Sequence, residues 1–187
     1  MSRFRNLLLL FALLALTSCS KKAEFKPFIS KDGRFEIASP TSMQYKSQLS
    51  HFENGEVTMH SYAGERDGVV YTINYFDIPK VINDEWRRIT TSAYEIPTLQ
   101  TMLEANAWVA EDRKGDEVKI SETEVARGEH FAATTKGKTQ NLYIRVLWIG
   151  NRFYQVMVGY PPKPSYQQEM DAKKFVWSLK LHSAMQN

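Results

Sequence analysis

Two histidines are the first residues whose type and spacing could do chemistry. His51 and His60 flank Asn54-Gly55, a dipeptide that favours a tight hairpin turn. With Asn54-Gly55 as a two-residue loop, His51 pairs with Thr58 and His60 with Leu49. The two imidazoles are then diagonal neighbours on one face, about 7–8 Å apart at Cα. Glu53 and Glu56 share that face, and two imidazoles plus a carboxylate suit a divalent metal. Spacing fixes no third ligand, so no metal site is assigned. His130 and His182 are isolated. Thr135-Lys-Gly137-Lys138-Thr139 ends like a phosphate loop, but Ala132 stands where that loop needs glycine. Strand-like sequence lies on both sides of it, so a hairpin turn is the better reading. Gly-x-Ser-x-Gly, His-Glu-x-x-His and a Cys–His pair are all missing. No catalytic residue and no cofactor are assigned, and an enzyme is not expected.

Cys19 is the only cysteine, which excludes an intramolecular disulfide and a Cys-rich metal site. The residues before it give it another use. Arg3 and Arg5 supply a positive start, and Leu7 to Leu16 reads LLLLFALLAL without a polar break. Ten apolar residues are too few to cross a hydrocarbon core, which takes about 20 as a helix. They fit the apolar segment of a signal peptide. Leu16-Thr17-Ser18-Cys19 follows at once and resembles the bacterial lipobox. That resemblance implies cleavage before Cys19 and a diacylglycerol thioether on its sulfur. One acyl chain holds a membrane marginally and two or more hold it stably. Ser20, not Asp, follows the cysteine, which resembles the outer-membrane sorting pattern of Gram-negative lipoproteins. The expected organisation is a signal peptide over 1–18, a lipidated cysteine with a short tether over 19–27, and one domain over 28–187.

Charge agrees with export. The chain has 24 Lys+Arg and 21 Asp+Glu. Removing Arg3 and Arg5 leaves 22 against 21, a net +1. A near-neutral domain with scattered lysines offers no reason to expect nucleic acid. Cleavage leaves 187 − 18 = 169 residues, enough for one domain without disulfide or metal support. The partners expected are therefore a membrane, through the lipid, and an envelope protein.

The elements of the domain are legible from periodicity. Arg34 to Ala38 alternates after the Asp32-Gly33 turn. Gln44 to Phe52, Val57 to Tyr62 and Val69 to Asp77 read as strands. Ile82, Trp86, Ile89 and Ala93 then fall on one helical face. Pro97 opens a second helix, with Leu99, Leu103, Ala107 and Ala110 in one stripe and Gly115 as its end. Strands return over Lys119 to Val125, Glu129 to Thr135, Asn141 to Ile149 and Arg152 to Gly159. Tyr166 to Trp177 is a terminal helix, and Ser178 to Leu181 a short edge strand.

The Gly150-Asn151 hairpin is the most informative piece. A two-residue loop there sets Ile149 opposite Arg152. One face holds Leu142, Ile144, Val146, Trp148, Phe153 and Met157, broken by Gln155. The other holds Tyr143, Leu147, Tyr154, Val156 and Val158, broken by Arg145. Two apolar faces place this hairpin mid-sheet with both sides covered. Trp86, Trp108, Trp148 and Trp177 are read mainly as core. The expected fold is α+β, an antiparallel β-sheet with helices on both faces, an α/β/α sandwich.

Tyr71-Thr-Ile-Asn-Tyr-Phe-Asp77-Ile-Pro79, Gly150-Asn-Arg152-Phe-Tyr154-Gln-Val156-Met-Val158 and Ala172-Lys-Lys-Phe175-Val-Trp-Ser178-Leu-Lys-Leu181 together resemble the PsbP-like domains. The likeness runs over about residues 28–181 and rests on core and turn residues. It implies an α/β/α sandwich that serves as a binding or assembly module. No metal-binding or docking residue of the photosystem protein is matched, so no photosynthetic role is implied. A small-ligand or divalent-metal-binding lipoprotein is the alternative.

Overall fold

The structure is a computed structural model that describes residues 23–52, 55–78, 108–135 and 140–183. The expected signal peptide, Cys19, the first expected helix and most of the second lie outside the described residues. Among the described residues are ten strands, in two antiparallel sheets, and one helix.

The larger sheet has seven strands: β3 (Gln44–Phe52), β4 (Gly55–Arg66), β5 (Val69–Asp77), β6 (Trp108–Lys119), β7 (Val125–Thr135), β8 (Asn141–Ile149) and β9 (Arg152–Tyr160). Their order is β3-β4-β5-β9-β8-β7-β6. The chain leaves β5 mid-sheet, re-enters at the far edge as β6, and steps back to the centre. The smaller sheet sets β2 (Phe35–Ser39) between β1 (Lys26–Ser30) and β10 (Lys180–Leu181). Helix α1 spans Tyr166–Trp177.

The central hairpin has the expected register, Ile149 opposite Arg152 across Gly150-Asn151, with Gly150 at φ 58. Its two faces belong to two separate buried clusters. Leu147, Tyr154, Val156 and Val158 join Ile73, Tyr75, Phe35, Ile37, Phe175 and Val176. Leu142, Ile144, Val146 and Phe153 join Phe131, Ala133 and Ile78. Each fully buried side chain of this size contributes about 1.5–3 kcal/mol.

The architecture corrects the expected sandwich. The first face of the large sheet is covered by α1 and by the three-stranded sheet side by side. Phe28 meets Tyr62 with centroids 4.9 Å apart, and Phe35 packs on Tyr75 and Tyr154. A second sheet thus stands where helix was expected, and the described residues are mostly strand rather than helices on both faces. The error has a local cause. The spacing predicts a helix through Ala110 to Gly115, yet Trp108–Lys119 is strand β6, an edge strand whose residues are mostly exposed. Its partner β7 supplies the ladder that single-sequence periodicity does not register. A bulge between Glu111 and Lys114, with Asp112 at φ 51, breaks the two-residue alternation and so hides the strand. Gly128, which falls between the expected strands Lys119 to Val125 and Glu129 to Thr135, lies inside β7. A Cβ there would run into the Val146 carbonyl, so the strands approach only because the residue is glycine.

α1 has a capping box. Ser165 Oγ accepts from the Gln168 N–H at 3.2 Å, and the Gln168 side chain accepts from the Ser165 N–H at 2.8 Å. Ala172, Phe175 and Val176 form its buried face. After the helix, Ser178 Oγ accepts from the Ala38 N–H at 2.9 Å, fastening the helix end to β2.

Candidate functional site

His60 lies in a row of stacked side chains rather than in a metal site. The β3–β4 register sets His51 opposite Glu56 and His60 opposite Ser47. Phe52 faces Gly55, so the loop sits one position earlier than Asn54-Gly55. In this register the two histidine positions are offset by four residues along the strands, about 14 Å. That separation removes the joint metal site. Among the described residues, no three His, Cys, Asp or Glu side chains gather around a common point.

The row crosses four strands. Tyr45 on β3 meets His60 on β4, with the Tyr45 hydroxyl 2.8 Å from His60 Nδ1. His60 stacks on Tyr75 of β5 at 4.6 Å and 9°. The Arg152 guanidinium of β9 lies 5.1 Å from the Tyr75 ring centre. Arg152 also donates to both Asp77 oxygens, at 2.7 and 2.5 Å, and to the Asp32 carbonyl at 2.6 Å. Tyr154 donates to the Gly33 carbonyl at 2.8 Å. The β1–β2 turn is thereby clamped to one end of the row. The row sits where it does because β4, β5 and β9 pair in register, His60 with Tyr75 and Tyr75 with Tyr154.

Burial dominates the electrostatics of this row. Desolvation raises the Tyr75 phenol to about 12, with smaller contributions from Tyr62 and Tyr45. Burial raises Tyr154 as well. These phenols stay protonated near neutrality, so they donate hydrogen bonds and offer faces for stacking. The hydrogen bonds to Asp77 hold the Arg152 guanidinium protonated. Tyr45 and Asp77 carry the solvent-facing ends of the row.

A second polar knot lies on the same face beneath the end of α1. Arg145, the exception in its apolar stripe, donates to Asp116 at 2.5 and 3.4 Å. Both side chains are buried, at 5% and 9% exposure. The Arg145 guanidinium lies 4.7 Å from the Trp177 ring centre, and His130 meets the same indole edge-on at 4.8 Å. Trp177 Nε1 donates to the Tyr143 hydroxyl at 3.1 Å. Gln155, the exception on the opposite face, continues a chain in which Ser61 donates to Asn74 at 2.6 Å and Asn74 to Gln155 at 2.8 Å. Each break in the apolar alternation therefore marks a buried polar network.

Sequence reasoning missed the partners. Asp116 lies just past the expected helix end at Gly115, with no strand expected there, and nothing local ties Asn74 to Gln155. The one available signal was Asp67-Gly68, another hairpin dipeptide. It joins β4 to β5 with φ of 52 and 73 and sets the register that brings His60 against Tyr75. The Gly137-Lys138-Thr139 fragment lies outside the described residues, but the flanking strands β7 and β8 pair antiparallel and no helix follows. Cys19 also lies outside them.

No family model matches the chain, and no curated protein matches it. Among solved structures, the chain is similar to the solution structure of cyanobacterial PsbP (CyanoP) from Synechocystis sp. PCC 6803. That match covers 90% of this chain and 99% of that chain, at 10% identity and a TM-score of 0.48.

Proposed function

We propose that this chain is a lipid-anchored protein of the cell envelope whose domain is a non-enzymatic binding or assembly module, with another envelope protein as partner. The observation that carries the proposal is the order of features before the domain. Two arginines, an unbroken ten-residue apolar run and Leu16-Thr17-Ser18-Cys19 precede strand β1 by only a few residues. Ser20 supports the outer membrane, facing the periplasm, if the cell is Gram-negative. The binding role draws support from side chains suited to recognition, exposed Tyr45 and the half-buried His60 among them, and from phenols kept protonated by burial. Of the alternative, a small-ligand or divalent-metal-binding lipoprotein, the metal version built on His51 and His60 loses its basis with the offset of the two positions.

Labelled palmitate and cell fractionation test the anchor. The wild-type chain is expected to take up label and pellet with membranes. Cys19→Ala is expected to lose the label and leave the membrane fraction. An unlabelled wild-type chain, or a Cys19→Ala chain that stays with membranes, sinks the anchor. Crosslinking in intact cells tests the partner, and recovery of no envelope protein counts against the binding role.

A further inference from the structure

We infer that the exposed stripe Tyr166–Met170–Lys173–Trp177 of α1 is the face on which the domain rests against the lipid bilayer. The inference deepens the proposed lipid anchor and rests on it.

The stripe is unusual for a helix this short. Ala172, Phe175 and Val176 already satisfy the core. On the outer side, residues at i, i+4, i+7 and i+11 fall on one line, and three of the four are large and apolar. Tyr166 is 76% exposed and Met170 43%, while Trp177, whose ring lies against Arg145 and His130 and whose N–H reaches Tyr143, still leaves 45% of its surface open. An aromatic–apolar–lysine–aromatic line suits the boundary between headgroups and acyl chains. There, Tyr166 can keep its hydroxyl in water while the ring is buried, and Lys173 can reach the phosphates.

What fixes the occupant is where the anchored end of the chain arrives. The Phe25 ring lies under the Lys174 ammonium, 4.1 Å from its centre, and packs against the core cluster that includes Phe175. Cys19 precedes Phe25 by six residues, which span about 20 Å at most when fully extended. A lipid on Cys19 thus holds the membrane within about 20 Å of Phe25, which packs beside the C-terminal half of α1. At that range the stripe meets headgroups at high effective concentration, so even weak contacts orient the domain. Charge agrees. Lys173, Lys174 and Lys163 lie on or beside α1, and Lys21 and Lys22 stand in the tether. Acids sit among them at Glu169 and Asp171, so attraction to anionic lipid is modest and apolar contact contributes the larger part.

The test uses the full lipidated chain in vesicles of phosphatidylcholine and phosphatidylglycerol. Since the lipid occupies the only native cysteine, Met170→Cys gives one site for a nitroxide label. Gln48→Cys, exposed on the opposite face of the large sheet, is the control. The ratio of oxygen to nickel-chelate accessibility is expected to be severalfold higher at 170 than at 48. Equal, water-like ratios at both sites, with Cys19 shown by mass spectrometry to be acylated, overturn the docking face and leave the anchor standing. A label at 170 that is immobilised yet open to the nickel chelate indicates protein contact and also overturns it. An unmodified Cys19 thiol overturns the anchor and, with it, this orientation.

Discussion

Arg145 and Asp116 are a buried pair whose parts are worth more together than apart. Removing one partner leaves the other charged and dry, at a cost of about 3–5 kcal/mol. Arg145→Ala is therefore expected to lower the urea midpoint sharply, and Trp177 also loses its cation. Replacing both, as Arg145→Met with Asp116→Leu, removes the stranded charge and is expected to cost less than the single change. A double variant as unstable as the single one would show that the pair's value lies in shape rather than charge. The phenols make a second residue-scale prediction. Burial raises Tyr71 and Tyr75 from 10.0 to about 12. The folded state thus favours the neutral phenol, and its advantage is intact below pH 10. It is lost as pH rises from 10 to about 12, because the unfolded chain gives up those protons first. Denaturation at stepped pH, followed by phenolate absorbance, should show stability falling in that window. Tyr75→Phe should weaken the fall, and an unchanged profile would rule Tyr75 out as a source of it.

At the scale of elements, glycines separate backbone conformation from close approach. Gly68 sits at φ 73 with open space around a would-be Cβ, so Gly68→Ala meets only the left-handed penalty, about 1–2 kcal/mol. Gly128→Ala has no such penalty and instead sets a methyl against the Val146 backbone, and overpacking of that kind costs about 1–3 kcal/mol. Because β7 and β8 would have to separate, Gly128→Ala is expected to be the worse of the two by thermal unfolding. The same contrast explains what periodicity made legible. The β8–β9 hairpin was readable in full because a two-residue loop and two apolar faces over-determine its register. The β3–β4 hairpin slipped because Gly55 lies in the strand opposite Phe52 rather than in the loop. That shift separated the two histidines. Strand β6 was misread because an exposed edge strand with a bulge has no clean alternation, and its partner β7 is the only thing that makes it a strand. Asp116 was lost with it, so half of the Arg145 network was invisible while Arg145 itself stood out.

At the scale of the molecule, the small sheet joins the two ends of the described chain. β1 and β10 flank β2, His182 N–H donates to the Arg34 carbonyl at 2.9 Å, and Lys180 meets Glu36 at 3.1 Å. Leu179 and Leu181 are buried in the same cluster as Phe35, Tyr154 and Phe175. The terminal dozen residues of the fold are thus built into the core that covers the large sheet. Truncating a buried leucine costs about 2–5 kcal/mol, which is a large share of a domain's net stability of about 5–15 kcal/mol. Leu179→Ala with Leu181→Ala is expected to bring the domain close to unfolding, in a single transition seen alike by tryptophan fluorescence and far-ultraviolet circular dichroism. If the small sheet were an appendage, fluorescence and dichroism would part, with an early step for β1, β2 and β10 and a later one for the seven strands. A single step would mean that the tether-bearing end and α1 are held by one cooperative unit. The orientation proposed for the domain on a membrane would then be fixed by folding itself.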